Sequence, residues 1–277
     1  MWDRGTPFLS IPPEDKIFLI DGGGYPAFIE EISMHRDVML VVPFLEYRRI
    51  KKLDLVVISH PHEDHYGGLL AVLDKFPVEM LVTNADLTES SAYRELLALA
   101  ETKEYFPGNC RKRGYNPVTG TACNIDVLGP PTELFSGATS DANNNSLVLY
   151  LRYRKAGALF TGDIEAEGGE LPFKRRTVAG MPAFKGTTSW RLPRQSLESL
   201  LESCFPSYSC YFCWESNSFG HPHPDVLSTL QEYNVHLYRT DLHGAVTIVT
   251  DGYALERQAL CCLPLLIPYT TISTFTF

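Results

Sequence analysis

The sequence lacks an excess of positive charge and lacks any long apolar run. Its 277 residues include 24 Lys and Arg against 33 Asp and Glu, which gives a formal net charge of -9. A global basic field of the kind that attracts nucleic acid is therefore excluded. No apolar stretch reaches the ~18 residues that a membrane span needs, and the chain does not open on a signal-peptide pattern. We expect a soluble domain without signal or membrane span.

The sequence also lacks the cysteine pattern of a disulfide-stabilised protein. Its seven cysteines are odd in number and unevenly spaced, and the Cys-x-x-Cys pair Cys210 and Cys213 has no second pair at zinc-ribbon distance. Hydrophobic residues make up 44% and charged residues 21%, which is typical of a soluble globular protein. We predict one domain over residues 1–256 and an unassigned apolar tail over 257–277.

Strand-like runs alternate with helical patterns along the chain. Apolar and β-branched runs predict strands at Ile17–Ile20, Leu55–Ser59, Ser146–Tyr153, Ala158–Thr161, Val235–Tyr238 and Ala245–Thr250. Amphipathic spacing predicts helices at Gly67–Asp74, Glu89–Thr102 and Asp225–Tyr233. This mixture predicts an α/β fold in which helices cover both outer faces of two packed sheets, a four-layer αββα sandwich.

Ionisable side chains are concentrated directly after one of these predicted strands. His60, His62, Asp64 and His65 fall within six positions and are followed by two glycines. Burying such groups is costly unless they bind something, and neutral imidazole and carboxylate suit zinc or manganese. On an extended loop His60 and His62 point the same way, and Asp64 and His65 face a neighbouring point. One loop can then hold two ions ~3.5–4 Å apart. A solvated histidine-rich loop is the alternative, which the strand before and the glycines after disfavour.

The order His-x-His-x-Asp-His followed by Gly-Gly resembles the signature of the metallo-β-lactamase superfamily. Asp21-Gly22-Gly23 resembles the turn after that family's second strand, and Thr161-Gly162-Asp163 resembles the segment whose aspartate bridges both metals. The resemblance implies the αββα fold and two divalent ions, zinc or manganese. It implies, as metal ligands, His60, His62, Asp64, His65 and Asp163. It also implies hydrolysis by a metal-bound hydroxide that Asp64 and Asp163 orient.

Further segments resemble the branch of that family found in ComEC-type DNA-uptake proteins. They include Asn143-Asn144-Asn145-Ser146 and Phe219-Gly220-His221-Pro222-His223. The resemblance implies that Asn143 or Asn144 stands where many relatives have a third histidine, and that His221 and His223 line the cleft. For these two histidines a helix-entry turn, with prolines presetting the backbone, is an equal alternative. The resemblance further implies a nuclease acting on single-stranded DNA during competence, in a family of inner-membrane proteins whose channel region is absent from this chain.

Two stretches depart from the family pattern in a way that the genetic code can explain. Relatives carry Val-Gly-Gln-Gly-Asp-Ser at the first and Val-Pro-His-His-Gly at the second, where this chain reads Trp2–Pro7 and Gly186–Trp190. Synonymous codons can be chosen for these residues so that a shifted reading frame spells the family sequences. With the same shift, Tyr208–Trp214 can be read as Ile-Ala-Val-Ile-Ser-Val-Gly, a buried-strand pattern. We therefore predict reading-frame shifts, one ending near Phe8 and one spanning about residues 171–218.

The predicted shifts have structural consequences. Residues that were never selected to pack should be irregular, so we expect no regular structure around residues 171–218 and no first strand of one sheet. We also expect the second metal site, at Asp64 and His65, to be weakened because a histidine is missing.

Two other functions remain open. A small-molecule phosphoesterase or a thioester hydrolase fits the same fold, because a fold alone does not choose a substrate. A non-catalytic remnant of a DNA-uptake channel protein is the third hypothesis, and the shifted segments favour it.

Overall fold

The structure is a computed structural model of the chain. It describes residues 8–11, 16–24, 41–84, 86, 90–105, 107–109, 116–119, 123–137, 140–165, 183–187, 194–204, 206–211, 222–243, 245–260 and 273–276. Within these residues the chain forms two mixed β-sheets with helices packed on their outer faces.

The first sheet has eight strands in the order β14-β13-β15-β1-β2-β3-β4-β5. These are β1 (Phe8–Ile11), β2 (Phe18–Ile20), β3 (Leu55–Ile58), β4 (Leu81–Thr83), β5 (Pro107–Asn109), β13 (Ala245–Thr250), β14 (Leu255–Leu260) and β15 (Ser273–Thr276). Strands β2 to β5 run parallel to one another. Because the carboxyl ends of parallel neighbours meet at one edge, the residues after β2 lie beside those after β3.

The second sheet has seven strands in the order β12-β11-β10-β9-β8-β7-β6. These are β6 (Val118–Thr119), β7 (Cys123–Gly129), β8 (Val148–Tyr153), β9 (Ala156–Phe160), β10 (Ala183–Thr187), β11 (Pro206–Tyr211) and β12 (His236–Arg239). Strands β6 to β9 form an antiparallel meander, and β9 to β12 run parallel. The carboxyl end of β9 delivers the chain to Asp163.

Eight helices are described. They are α1 (Val41–Tyr47), α2 (Glu63–Tyr66), α3 (Leu69–Lys75), α4 (Ser91–Thr102), α5 (Asp141–Asn144), α6 (Arg194–Cys204), α7 (Pro224–Glu232) and α8 (Thr240–His243). Ser90 begins α4 by accepting a hydrogen bond from the backbone N–H of Tyr93, a common way to satisfy a free donor at a helix start.

Three apolar clusters separate four layers. Along β3 the side chains alternate, so Leu55 and Val57 join the cluster between the two sheets while Val56 and Ile58 join the cluster under α1, α3 and α4. A third cluster lies between the second sheet and the pair α6 and α7. The predicted αββα sandwich is therefore confirmed.

The predicted strands and helices lie close to the observed ones. Predicted Ala245–Thr250 coincides with β13, and predicted Glu89–Thr102 begins two residues before α4. The histidine segment differs, because we predicted an extended loop where residues 63–66 form the one-turn helix α2. Two acidic residues in its first turn, Glu63 and Asp64, favour that helix because carboxylates stabilise a helix N-terminus.

The expectation of irregular structure around residues 171–218 is wrong for the described part of that stretch, which contains β10, α6 and β11. In α6, Leu197, Leu200 and Leu201 are buried, and their spacing places them on one helix face that packs against the second sheet and α7. Residues 1–7 and 188–190 lie outside the described residues, so the expected absence of a first strand at residues 1–7 is not tested, and nothing is described at 188–190, where relatives carry the histidine motif.

The predicted boundary at residue 256 falls inside β14, and part of the predicted tail belongs to the first sheet. Strand β15 pairs antiparallel with both β1 and β13. Among the described residues, no helix is long and apolar enough to cross a membrane.

Candidate metal centre

The candidate site lies where β3 and β9 end. Strand β3 is buried along its whole length, and the residues that follow it, Ser59 and His60, are 2% and 0% exposed. Helix α2 then turns His65 back into the interior, where it is 1% exposed. The apolar strand therefore carries polar side chains into a place where they need partners.

Close packing of glycines brings the turn after β2 against α2. A Cβ on Gly24, whose φ is +157, would lie 2.0 Å from the carbonyl oxygen of Glu63. A Cβ on Gly68 would lie 2.2 Å from the carbonyl oxygen of Gly22. Only glycine allows the two backbones to approach so closely. This close packing holds Asp21, in the turn after β2, beside the histidines.

Three ligand-type side chains converge in this place. His60, His65 and Asp163 each offer one ligand atom, and these atoms all lie within 4.8 Å of one another. His65 Nε2 is 3.4 Å from Asp163 Oδ1, and the rings of His60 and His65 have centroids 4.1 Å apart. His62 is also close, since its Nδ1 is 3.0 Å from His60 Nε2.

Asp21 orients both buried histidines. Its Oδ1 accepts from the backbone N–H of Ser59 at 2.7 Å, and its Oδ2 accepts from the Ser59 hydroxyl at 2.8 Å. The same Oδ2 is 2.9 Å from His65 Nδ1. Because a carboxylate only accepts hydrogen bonds, Nδ1 of His65 carries a proton. When His65 is neutral, its free lone pair is therefore on Nε2.

The Ser59 hydroxyl extends this orientation to His60. Since Ser59 donates to Asp21, its oxygen accepts from Nδ1 of His60, which lies 3.0 Å away. His60 therefore also presents Nε2. Fixing the tautomer of a ligating histidine through its other nitrogen is the usual role of such partners.

Asp163 is brought to the histidines by a tight turn after β9. Gly162 has a φ of +50, and a Cβ there would meet the Cβ of Ser146 at 2.7 Å. The backbone N–H of Asp163 donates to Ser146 Oγ at 3.1 Å. The glycine therefore lets the Asp163 carboxylate approach the histidines without side-chain crowding.

The pKa values of the two buried histidines are shifted in opposite directions. Burial lowers the pKa of His60 well below its usual value of 6.5, with a further contribution from the neighbouring His65. Burial also opposes the charged form of His65, but the carboxylates of Asp163 and Asp21 outweigh it and hold its pKa well above 6.5. The carboxylates of Asp21 and Asp163 therefore favour the charged form of His65 in the metal-free protein.

The donor set fits a divalent cation. Two imidazoles with their Nε2 atoms presented and one carboxylate match the ligands that zinc accepts. The carboxylates of Asp21 and Asp163 flank the His65 ring, and a divalent ion bound there would balance their negative charge. His60, His65 and Asp163 thus form a candidate site for a metal ion, with His62 adjacent.

The remaining predicted site residues differ in their burial and in their contacts. Asp64 is half-buried on α2, and its role as a ligand stays a prediction. Asn144 is buried, and its amide is engaged with Ser140 O and with the backbone N–H of Glu165. His223 is the N-cap residue of α7 and accepts from the N–H of Asp225, which is the helix-entry role left open above. His221 lies outside the described residues.

Asn143 lies beside a carboxylate. Its side-chain nitrogen donates to Glu165 Oε1 at 2.8 Å, while its buried oxygen has no hydrogen-bond partner within the part of the chain that the structure describes. Asp21, Ser59 and Glu165 were not predicted as site residues. The turn sequence after β2 pointed to Asp21, but no local pattern connects it to partners 38 and 44 positions away.

A family profile described as "Metallo-beta-lactamase superfamily" matches residues 9–204 of the chain. The chain belongs to this superfamily. The metallo-β-lactamase fold implies divalent metal binding, and the observed cluster lies where its residues can supply it.

Curated relatives are similar to this chain at low identity. ComE operon protein 3 of Bacillus subtilis (strain 168) is 26% identical over 254 residues, which cover 86% of this chain and 31% of that protein. Competence protein ComA of Neisseria gonorrhoeae is 24% identical over 230 residues, which cover 79% of this chain and 28% of that protein. Recombination protein 2 of Haemophilus influenzae is 23% identical, with coverage of 79% and 25%. The chain therefore spans less than a third of the length of these relatives.

Solved structures are also similar to this metallo-β-lactamase-family chain. A CmlA beta-hydroxylase matches with a TM-score of 0.48 and 12% identity, covering 84% of this chain and 52% of that one. A diphosphatase from the PhnP family matches with a TM-score of 0.38 and 18% identity, covering 72% and 69%.

Proposed function

We propose that this chain is a metal-dependent hydrolase that cleaves phosphodiester bonds of single-stranded DNA during DNA uptake. The observation that carries the proposal is the convergence of His60, His65 and Asp163 within 4.8 Å in a metallo-β-lactamase-family chain. The DNA substrate is supported by relatives named for competence and recombination. We further propose that His62 and Asp64 complete a site for two ions, zinc or manganese.

Bound ions would supply Lewis acidity toward a phosphoryl oxygen and would lower the pKa of a water molecule. The chain's own residues provide the positioning. Asp21 and Ser59 keep the Nε2 atoms of both histidines directed at one point, and the turn at Gly162 holds the Asp163 carboxylate opposite them. In this proposal Asp64 and Asp163 orient the attacking water and accept its proton.

The negative net charge of the chain affects how it could bind DNA. With a net charge of -9, the chain as a whole repels a polyanion. Attraction must therefore come from the metal centre, and few counterions should be released on binding. DNA binding should depend on metal and should fall only gradually as salt rises.

The test compares substrates on one preparation. The full chain, loaded with zinc or manganese, is incubated with single-stranded DNA, duplex DNA, bis(p-nitrophenyl) phosphate and an acyl thioester. We expect single-stranded DNA to be cleaved. Asp163→Asn and His60→Gln should each lower the rate at least about 100-fold, because loss of a ligand exceeds the ~10–100-fold effect of losing an outer partner. His236→Gln, at an exposed histidine on the edge strand β12, serves as the matched control.

Other outcomes contradict the DNA assignment in distinct ways. Turnover of the small phosphodiester without cleavage of DNA indicates a small-molecule phosphoesterase. Turnover of the thioester alone indicates a thioester hydrolase. Bound metal with no turnover of any substrate indicates a non-catalytic remnant.

A further inference from the structure

The segment Asn143–Leu147, which we call the clamp, consists of the last two residues of α5 and the three residues that lead to β8. It lies between the two loops that carry the candidate metal ligands. On one side it binds the loop that carries Asp163. Ser146 Oγ accepts from the backbone N–H of Asp163 at 3.1 Å, and Asn144 Oδ1 accepts from the backbone N–H of Glu165 at 3.1 Å. The loop is thus held on both sides of Ile164.

The clamp also holds the end of this loop through a side chain. Asn143 donates to the Glu165 carboxylate at 2.8 Å, and Glu165 is only 4% exposed. A buried carboxylate is costly unless polar groups satisfy it. The contact therefore fixes where the loop leaves the site.

On its other side the clamp binds the histidine loop. The backbone N–H of Leu147 donates to the carbonyl oxygen of Ser59 at 2.8 Å. Ser59 directly precedes His60 and holds Asp21. A Cβ on Gly162 would lie 2.7 Å from the Cβ of Ser146 and 3.1 Å from the Cβ of Ser59, so the three segments are in close contact.

We propose that the clamp sets the separation between the histidines and Asp163, and that Asn144 and Ser146 are positioning residues for the metal centre. The proposal rests on the metal centre proposed above and gives these side chains a role through Asp163. Metal–ligand distances must be correct to about 0.2 Å. A loop released from two of its hydrogen bonds would hold Asp163 less closely to that position.

The test uses the full chain with Co²⁺ as a spectroscopic probe. Asn144→Ala and Ser146→Ala should each weaken cobalt affinity about 10–100-fold, the usual effect of losing an outer partner. Each should also alter the visible d–d absorption of bound cobalt, which reports coordination geometry. Asn144→Asp keeps the acceptor oxygen for the Glu165 N–H but loses the donation to Ser140 O, so it should recover part of the affinity. Ser228→Ala removes a hydroxyl that binds Asp225 O on α7, and it should change neither quantity.

The outcomes separate the two proposals. Failure of the unaltered chain to bind cobalt refutes the metal centre and the positioning role with it. Binding by the unaltered chain with unchanged affinity and spectrum in both alanine variants refutes the positioning role alone. Circular dichroism checks that each variant is folded. If Asn144→Ala does not fold, Ser146→Ala, which removes only one oxygen, decides the question.

Discussion

Asp21→Asn is a sharp test of how the site is held together. Asparagine keeps the volume of the side chain and tolerates the left-handed backbone of Asp21, whose φ is 60. It replaces one carboxylate oxygen by a donor. The two oxygens of Asp21 now accept from the Ser59 N–H, the Ser59 hydroxyl and His65 Nδ1, so at least one of these donors must face the new NH₂ group.

The size of the effect follows from the contacts. A hydrogen bond to a charged acceptor contributes about 1.5–3 kcal/mol, and a buried donor without a partner costs about 1–3 kcal/mol. The remaining contacts of Asp21 also weaken when its charge is lost. We therefore expect the free energy of unfolding to fall by about 3 kcal/mol, which corresponds to a Tm about 6–12 °C lower.

The assay is thermal and urea unfolding of the metal-free chain, followed by circular dichroism. Asp74→Asn is the matched control, since that side chain is 75% exposed in its pair with Lys103. A loss of less than about 1 kcal/mol in Asp21→Asn, below the contribution of one charged hydrogen bond, would refute the orienting role of Asp21.

Three further predictions follow from other features of the chain. The pKa of His65 is raised in the folded chain, so the charged form of His65 stabilises the metal-free fold. This stabilisation is fully present below pH 6.5 and is lost as the pH rises through the folded pKa. Unfolding titrations should show this, and calorimetry should show metal affinity rising with pH. Ser209→Ala should stabilise the fold by about 1 kcal/mol in urea unfolding, because the buried Ser209 hydroxyl has no hydrogen-bond partner among the described residues. Under the frame-shift hypothesis, replacing Thr188 and Ser189 by histidine supplies a further ligand and should strengthen metal binding at least about tenfold in equilibrium dialysis; unchanged affinity would contradict that hypothesis.

Much of the fold follows from local patterns. The β-branched run at β3 and the leucine spacing of α4 fix their element types, because burial on one or two faces dictates the period of apolar residues. The αββα layering follows from their order along the chain. The ionisable residues after β3 likewise indicated a metal site, since such groups are rarely buried without a partner.

Other features depend on contacts between distant parts of the chain. Asp21 reaches His65 across 44 positions, and nothing in the sequence near either residue shows that β2 and β3 are neighbours. Strand β15 comes last in sequence but pairs between β1 and β13, which the apolar composition of the tail did not indicate. Asn143 or Asn144 was predicted to stand in place of a third histidine, and only the fold shows that the Asn144 amide binds the loop that carries Asp163.

The most direct test of the central claim is anomalous diffraction from crystals of the full chain grown with zinc. We predict an anomalous peak about 2.0–2.2 Å from a nitrogen of His60, a nitrogen of His65 and an oxygen of Asp163, the distances usual for zinc. Zinc bound only elsewhere, or these three side chains separated with no ion between them, would contradict the account.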